Sequence, residues 1–137
     1  MLRSYAKSGG RILVSGAYVG SDMTQPHERS FMSDVLKTTF TGTDTNAGNN
    51  MVDGLGLSFD IIRQINDRHF AATSVDRIAA CDGRSFAAMR YQDGSTAGVA
   101  YDGTDYKSFV MGYPYECINN VRTRQQVMKG LLGFLLK

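Results

Sequence analysis

The amino-acid sequence predicts an α/β domain: a three-layer sandwich on a partly parallel sheet that ends in an antiparallel meander. Three observations predict it. Ile12-Leu13-Val14 is an unbroken apolar run of β-forming residues between Gly10 and Gly16, which suits a strand covered on both faces. Residues 86–91, 96–101 and 107–112 are strand-like runs joined by short links containing Asp93-Gly94 and Asp102-Gly103, dipeptides favoured where a hairpin needs positive φ. Near the end, Val127, Met128, Leu131, Leu132, Leu135 and Leu136 recur at intervals of three and four, so one face of a helix must be buried. The 137 residues suffice for a single core and are expected to form a single domain.

The elements follow in order. Leu2, Tyr5 and Ala6 lie at helical spacing, and Gly9-Gly10 stops the helix because glycine takes the left-handed cap conformation without a Cβ penalty. A chain that opens on the last turns of a helix is expected to be the C-terminal part of a larger protein. Residues 11–15 form the first strand, closed by Gly16 and Gly20. Residues 24–40 read as a second helix, with Pro26 near its start and Phe31, Val35 and Leu36 on its apolar side. Between residues 41 and 56, Gly, Asn, Thr and Asp dominate without a hydrophobic period, and a long surface loop is expected. Leu57, Phe59 and Ile61 alternate with Ser58, Asp60 and Ile62 as in a strand or a short helix, whereas residues 69–78 fit neither period. Gly130 and Gly133 each cost about 1 kcal/mol relative to Ala inside a helix, which predicts close contact with a neighbouring sheet.

Composition removes several classes of function. Hydrophobic residues make up 42% and charged residues 20%, as in ordinary globular domains. The net charge of +2 arises from scattered Lys and Arg, with no run dense enough to neutralise several phosphates, so nucleic acid is not an expected partner. No apolar run approaches the roughly 18–20 residues that span a bilayer, and the first residues carry no apolar core of a signal peptide. Cys81 and Cys117 lack zinc-site spacing, so no metal and no cofactor are expected. The two cysteines fit either a disulfide or two free buried thiols.

The most informative local feature is Gly16-Ala17-Tyr18-Val19-Gly20, directly between a strand and a helical segment. This is the frame of a nucleophile elbow, in which glycines permit a sharp turn that lifts the middle residue to the C-terminal edge of the sheet, near N–H groups able to hold an oxyanion. Class I glutamine amidotransferases place Cys there and hydrolases Ser. Here the residue is Tyr18, whose phenol, with an ordinary pKa near 10, needs a base to attack a carbonyl. The only histidines are His27 and His69, neither in the His-x-Glu context of an amidotransferase triad. The corresponding region, Gly112-Tyr113-Pro114-Tyr115-Glu116, keeps an acid without an imidazole. The expectation is a turn retained for packing, with Tyr18 filling the crevice; Tyr18 and Glu116 are the catalytic candidates.

A ligand in that crevice would meet Ser15, Tyr18, Ser21 and Asp22, although Ser21-Asp22 more simply caps the next helix. Glu116 reads as a general acid or base, or as a favourable partner of a helix N-terminus. Arg90 reads as a ligand contact or, better, as the partner of an internal carboxylate. Tyr18, Tyr113 and Tyr115 are candidates for stacking on pyranose faces. His27, in Gln25-Pro26-His27-Glu28, reads as a solvated surface residue.

The stretch from Tyr5-Ala6-Lys7-Ser8-Gly9-Gly10 through Arg11-Ile12-Leu13-Val14-Ser15 to Gly16-Ala17-Tyr18-Val19-Gly20-Ser21-Asp22, together with Ala97-Gly98-Val99-Ala100-Tyr101, Gly112-Tyr113-Pro114-Tyr115-Glu116 and the final helix, resembles the C-terminal region of large bacterial proteins of the xanthan-lyase type that also carry golvesin-type domains. The resemblance implies a flavodoxin-like, class I glutamine amidotransferase-like fold and a secreted, periplasmic or cell-surface setting. It also implies neighbouring domains of a parent chain as partners, and polysaccharide or peptidoglycan as the material acted on. The eroded elbow points to a non-catalytic accessory domain. The alternatives are a cryptic hydrolase or lyase using Tyr18 and Glu116, with Ser21, Asp22 or Arg90 assisting, and a carbohydrate-binding module. A free sheet edge would permit a homodimer.

Overall fold

The computed structural model describes residues 2–18, 23–65 and 71–137. Helix α1 (Leu2–Lys7) ends at Gly9, whose φ of +94° turns the chain into β1 (Arg11–Ser15). Next come α2 (Pro26–Asp34), β2 (Thr38–Asp44), β3 (Met51–Gly54), β4 (Leu57–Asp60) and β5 (Val75–Ala80). The meander β6 (Ser85–Tyr91), β7 (Thr96–Asp102) and β8 (Lys107–Met111) then leads through one 3₁₀ turn (Tyr115–Cys117) into α3 (Val121–Leu135).

Six strands form one sheet in the order β1-β8-β7-β6-β3-β4, and β2 pairs antiparallel with β5 in a separate ribbon. Among the described residues only β1 and β8 run parallel; the other neighbours are antiparallel. Apolar side chains fill both faces. Val127, Leu131 and Leu135 of α3 pack with Val52, Met89, Phe109 and Met111 on one side. Ala6, Met32, Leu36 and Ile78 pack with Ile12, Val99 and Val110 on the other, placing α1, α2 and the ribbon opposite α3. The result is a three-layer α/β arrangement on a mixed sheet. Among the described residues no helix is long and apolar enough to cross a membrane.

The predicted first strand, the meander and the closing helix all form. Three readings are corrected. The second helix stops at Asp34 instead of running to residue 40, because Thr38-Thr39-Phe40-Thr41 consists of β-branched and aromatic residues and alternates buried with more exposed positions along β2. The expected loop over residues 41–56 holds the rest of β2 and all of β3, its polar composition belonging to strands with one solvated edge or face. Residues 75–80, inside and just beyond the unassigned stretch, are β5.

Glycine roles also differ from expectation. Gly94 has φ +89°, as the Asp-Gly link requires, but Gly103 does not; there a Cβ would strike the Tyr101 ring, so space and not φ selects glycine. The β3–β4 hairpin turns through Leu55 (φ +57°) and Gly56 (φ +75°), a pair of left-handed residues matching a two-residue primed turn. Leu55 is held there by α3: a Cβ on Gly130 would lie 3.2 Å from its side chain. Gly133 has no atom within 4 Å of such a Cβ and makes no close approach. Leu132 and Leu136, expected on the buried face, are exposed; the buried face of α3 is Val127, Leu131 and Leu135.

Candidate functional site

Strands β1 and β8 run parallel in register, Ser15 opposite Met111, so both chains leave the sheet at the same end. Ser15-Gly16-Ala17-Tyr18 therefore departs beside Gly112-Tyr113-Pro114-Tyr115-Glu116. One hydrogen bond joins them: the Tyr115 N–H donates to Ser15 Oγ at 3.5 Å. Tyr18 does not fill a crevice; its side chain is 53% exposed, and no hydrogen bond reaches its hydroxyl among the described residues. Val19, Gly20, Ser21 and Asp22 lie outside the described residues, as does His69.

The neighbouring tyrosines are structural. Tyr113 is fully buried, donates to Met89 Sδ at 3.0 Å and stands edge-on to Tyr91, so it offers no face to a sugar. Burial, reinforced by Cys117, pushes its phenol well above the ordinary range. Tyr115 is half-buried and donates to the Arg124 carbonyl at 2.6 Å, tying the 3₁₀ turn to α3; burial raises its pKa as well. Glu116 projects outward from that turn, and the N-cap of α3 is Asn120, which accepts from the Arg122 N–H. Glu116 thus lies outside the first turn of α3.

Arg90 lies on β6, three strands from β1 and therefore roughly 14 Å away across the sheet. Its side chain is exposed and donates to the Gly94 carbonyl at 3.1 Å instead of pairing with an internal carboxylate. Tyr18 and Arg90 consequently do not assemble into a base and a carboxylate-neutralising partner. His27 is exposed, beside an apolar recess between α1 and α2 that Leu2, Met23 and Phe31 also line. Cys81 is exposed and Cys117 buried, and both are free thiols.

The most highly organised polar cluster lies elsewhere. After β4, Ile61 bridges to Ile118, the Ile62 N–H donates to the Cys117 carbonyl, and the Ala72 N–H donates to the Ile62 carbonyl. This strapping drives Arg63 beneath the β2–β3 connection, where it is 3% exposed. Its Nε donates to the Ala72 carbonyl at 2.7 Å; one terminal nitrogen reaches Asp44 Oδ2 at 3.0 Å and the Asn49 carbonyl at 2.8 Å; the other reaches the Asp44 carbonyl at 2.9 Å. Arg77 closes on the second Asp44 oxygen at 2.9 Å and extends to Asp93 at 3.4 Å. Asn49 links the same groups, donating to Asp44 and accepting from the Asp93 N–H. Hydrogen bonds from the Ser95 hydroxyl and N–H hold the Asp93 carboxyl below its usual range.

A polar cleft of about 390 Å³ opens beside this cluster, with Gly48, Asn50, Asp60, Arg63 and Gln64 in its walls. Sequence reasoning missed it because Asp44, Asn49 and Asn50 sit in the stretch read as a loop. The available signal was Arg63 itself, a cation directly after Ile61-Ile62, which must find a counter-ion if the strand is buried.

No family model matches the chain, and no curated protein sequence matches it. Solved structures do. A catalytic mutant of Gan42B, a GH42 β-galactosidase from G. stearothermophilus, superposes with a TM-score of 0.65 at 13% identity, over 96% of this chain and 18% of that one. The exo-β-1,4-mannosidase Op5Man5 from Opitutaceae bacterium strain TAV5 gives 0.62 at 13% identity, over 98% and 22%. A polyextremophilic β-galactosidase from the Antarctic haloarchaeon Halorubrum lacusprofundi gives 0.65 at 14% identity, over 99% and 20%. The chain thus spans about a fifth of the length of these proteins, and at such identity the likeness is one of fold.

Proposed function

We propose that this chain is a non-catalytic accessory domain of a carbohydrate-directed protein. The observation that carries the reading is the match of nearly the whole chain to a minor part of several glycosidase chains. The turn after β1 supports it: it presents an exposed phenol, and neither Arg90 nor Tyr113 faces that phenol as an acid, base or charge partner. The strand-then-turn frame beside a parallel neighbour supports a distant relation to the glutamine amidotransferase-like, flavodoxin-like fold. The resemblance to proteins of the xanthan-lyase type with golvesin-type domains supports a secreted or cell-surface parent.

The test is an activity assay on the purified chain with aryl galactosides, aryl mannosides, xanthan and peptidoglycan fragments. No turnover is expected above buffer. Turnover abolished by Tyr18→Phe, with unchanged melting temperature, would replace this reading with that of a tyrosine-dependent hydrolase or lyase.

A further inference from the structure

We propose that the polar cleft between the β2–β3 connection and residues 60–64 binds a neutral polyhydroxylated ligand, a single saccharide residue, a reading that rests on the accessory-domain proposal and specifies what the domain would hold. At about 390 Å³ the cleft lies within the range of small-molecule sites. Its chemistry is mixed in sign. Asp60 offers acceptor capacity: one of its oxygens takes the Asn119 side-chain amide at 2.9 Å, leaving the other. Asn50 and Gln64 each bring a side-chain amide, donor and acceptor at once, with no hydrogen-bond partner among the described residues.

Arg63 lies behind these three groups, its side chain 1% exposed. A guanidinium has five N–H donors, and the contacts to Ala72, Asp44 Oδ2, Asn49 and the Asp44 carbonyl use four of them. Its charge is already balanced by Asp44, so the buried guanidinium gives the cleft no net attraction for anions. Closely spaced groups that alternately donate and accept suit hydroxyls, which do both, better than they suit a phosphate or an ammonium ion. With no aromatic side chain among the described residues of the wall, binding is expected to be weak, with a dissociation constant on the order of 1 mM.

The backbone that carries Asn50 and Asp60 is fixed before any ligand arrives. Asp60 is held through the Asn119 N–H on its carbonyl, Asn50 through its carbonyl's bond from the Ile61 N–H, and Arg63 through its four contacts. Such preorganisation removes much of the ordering penalty that weak polar sites otherwise carry.

The test is a titration of ¹⁵N-labelled chain with galactose, mannose and lactose, with sodium sulfate and methylammonium chloride as charged controls. Saturable shifts centred on the amides of Gly48, Asn50, Arg63 and Gln64 are expected with at least one saccharide. Affinity should fall at least tenfold in Asp60→Asn/Gln64→Ala, whose remaining spectrum stays unchanged. No saturation by any saccharide, saturation centred on other residues, or equal shifts with sulfate or methylammonium would each overturn the proposal. These outcomes leave the accessory reading standing. That reading falls instead if the chain itself turns over a glycan, which these spectra do not measure.

Discussion

Replacing Asp44 with alanine probes the polar centre of the domain most directly. The carboxylate accepts from Arg63 at 3.0 Å, Arg77 at 2.9 Å and Asn49 at 3.3 Å. All three bonds vanish in Asp44→Ala, whereas the bond from Arg63 to the residue-44 backbone carbonyl can persist. What remains is a guanidinium that is 3% exposed and has lost its counter-ion. Breaking a buried pair from one side costs roughly 3–5 kcal/mol, because the desolvated charge is left uncompensated. Arg77 provides the control: its side chain is 34% exposed, so Arg77→Ala should cost about 1 kcal/mol or less.

Urea unfolding followed by circular dichroism measures both variants, since the midpoint shifts at constant slope if only stability changes. Removing both inner charges, in Asp44→Leu/Arg63→Met, should recover only part of the loss: the desolvation penalty leaves with the ions, but the Ala72, Asn49 and residue-44 carbonyls lose the donor that satisfied them. Added salt at about 1 M, where screening acts over roughly 3 Å, should shrink the Arg77 effect and leave the Asp44 effect largely intact. An Asp44→Ala variant no less stable than Arg77→Ala would refute the assignment of this cluster as a buried, charge-neutral hub.

Three further outcomes are expected. Gly112→Ala should destabilise by roughly 1–3 kcal/mol, because its Cβ would fall on the Asp76 backbone carbonyl, whereas Gly133→Ala should stabilise by up to about 1 kcal/mol in an open helical position; thermal melts of both variants decide this. A thiol reagent should modify one cysteine per native chain, Cys81, and both after denaturation, and a native count of two would contradict the burial of Cys117. Burial raises Cys117 from an ordinary 9.0 to about 12 and Tyr106 from 10.0 to about 12. Groups raised in the folded state contribute stability that is complete below their unfolded values, so stability should be flat to about pH 9 and fall progressively towards pH 12. Urea midpoints that stay constant across that window would show that folding does not raise these groups.

Much of the frame was legible because it rests on local pattern. Ile12-Leu13-Val14 reads as a covered strand since both of its faces are in fact covered, by α3 and by α1 and α2. The Asp93-Gly94 hairpin reads correctly because its geometry is set within four residues. The β2–β5 ribbon did not, for a physical reason: Thr38–Asp44 is polar on its outer positions and pairs with a strand more than thirty residues later in the chain, so neither periodicity nor neighbours reveal it. The cleft was hidden for the same reason. Asp44, Asn49, Arg63, Arg77 and Asp93 come from five separate segments, and only the folded chain brings them together.

The contrast between the two polar regions bears on function more strongly than either alone. A catalytic centre must hold its groups in place before the transition state forms, since the advantage of preset dipoles is lost if they reorganise during reaction. Beside β1, the described contact between the turn and the β8 extension is one 3.5 Å bond, and the residue at the elbow position projects into solvent. Around Arg63, by contrast, backbone and side-chain bonds fix every wall of the cleft that carries a charge. Among the described residues, hydrogen bonds are therefore dense around Arg63 and sparse between Ser15 and Tyr115, so the groups set in place before any ligand arrives are those of the buried cluster beside the cleft.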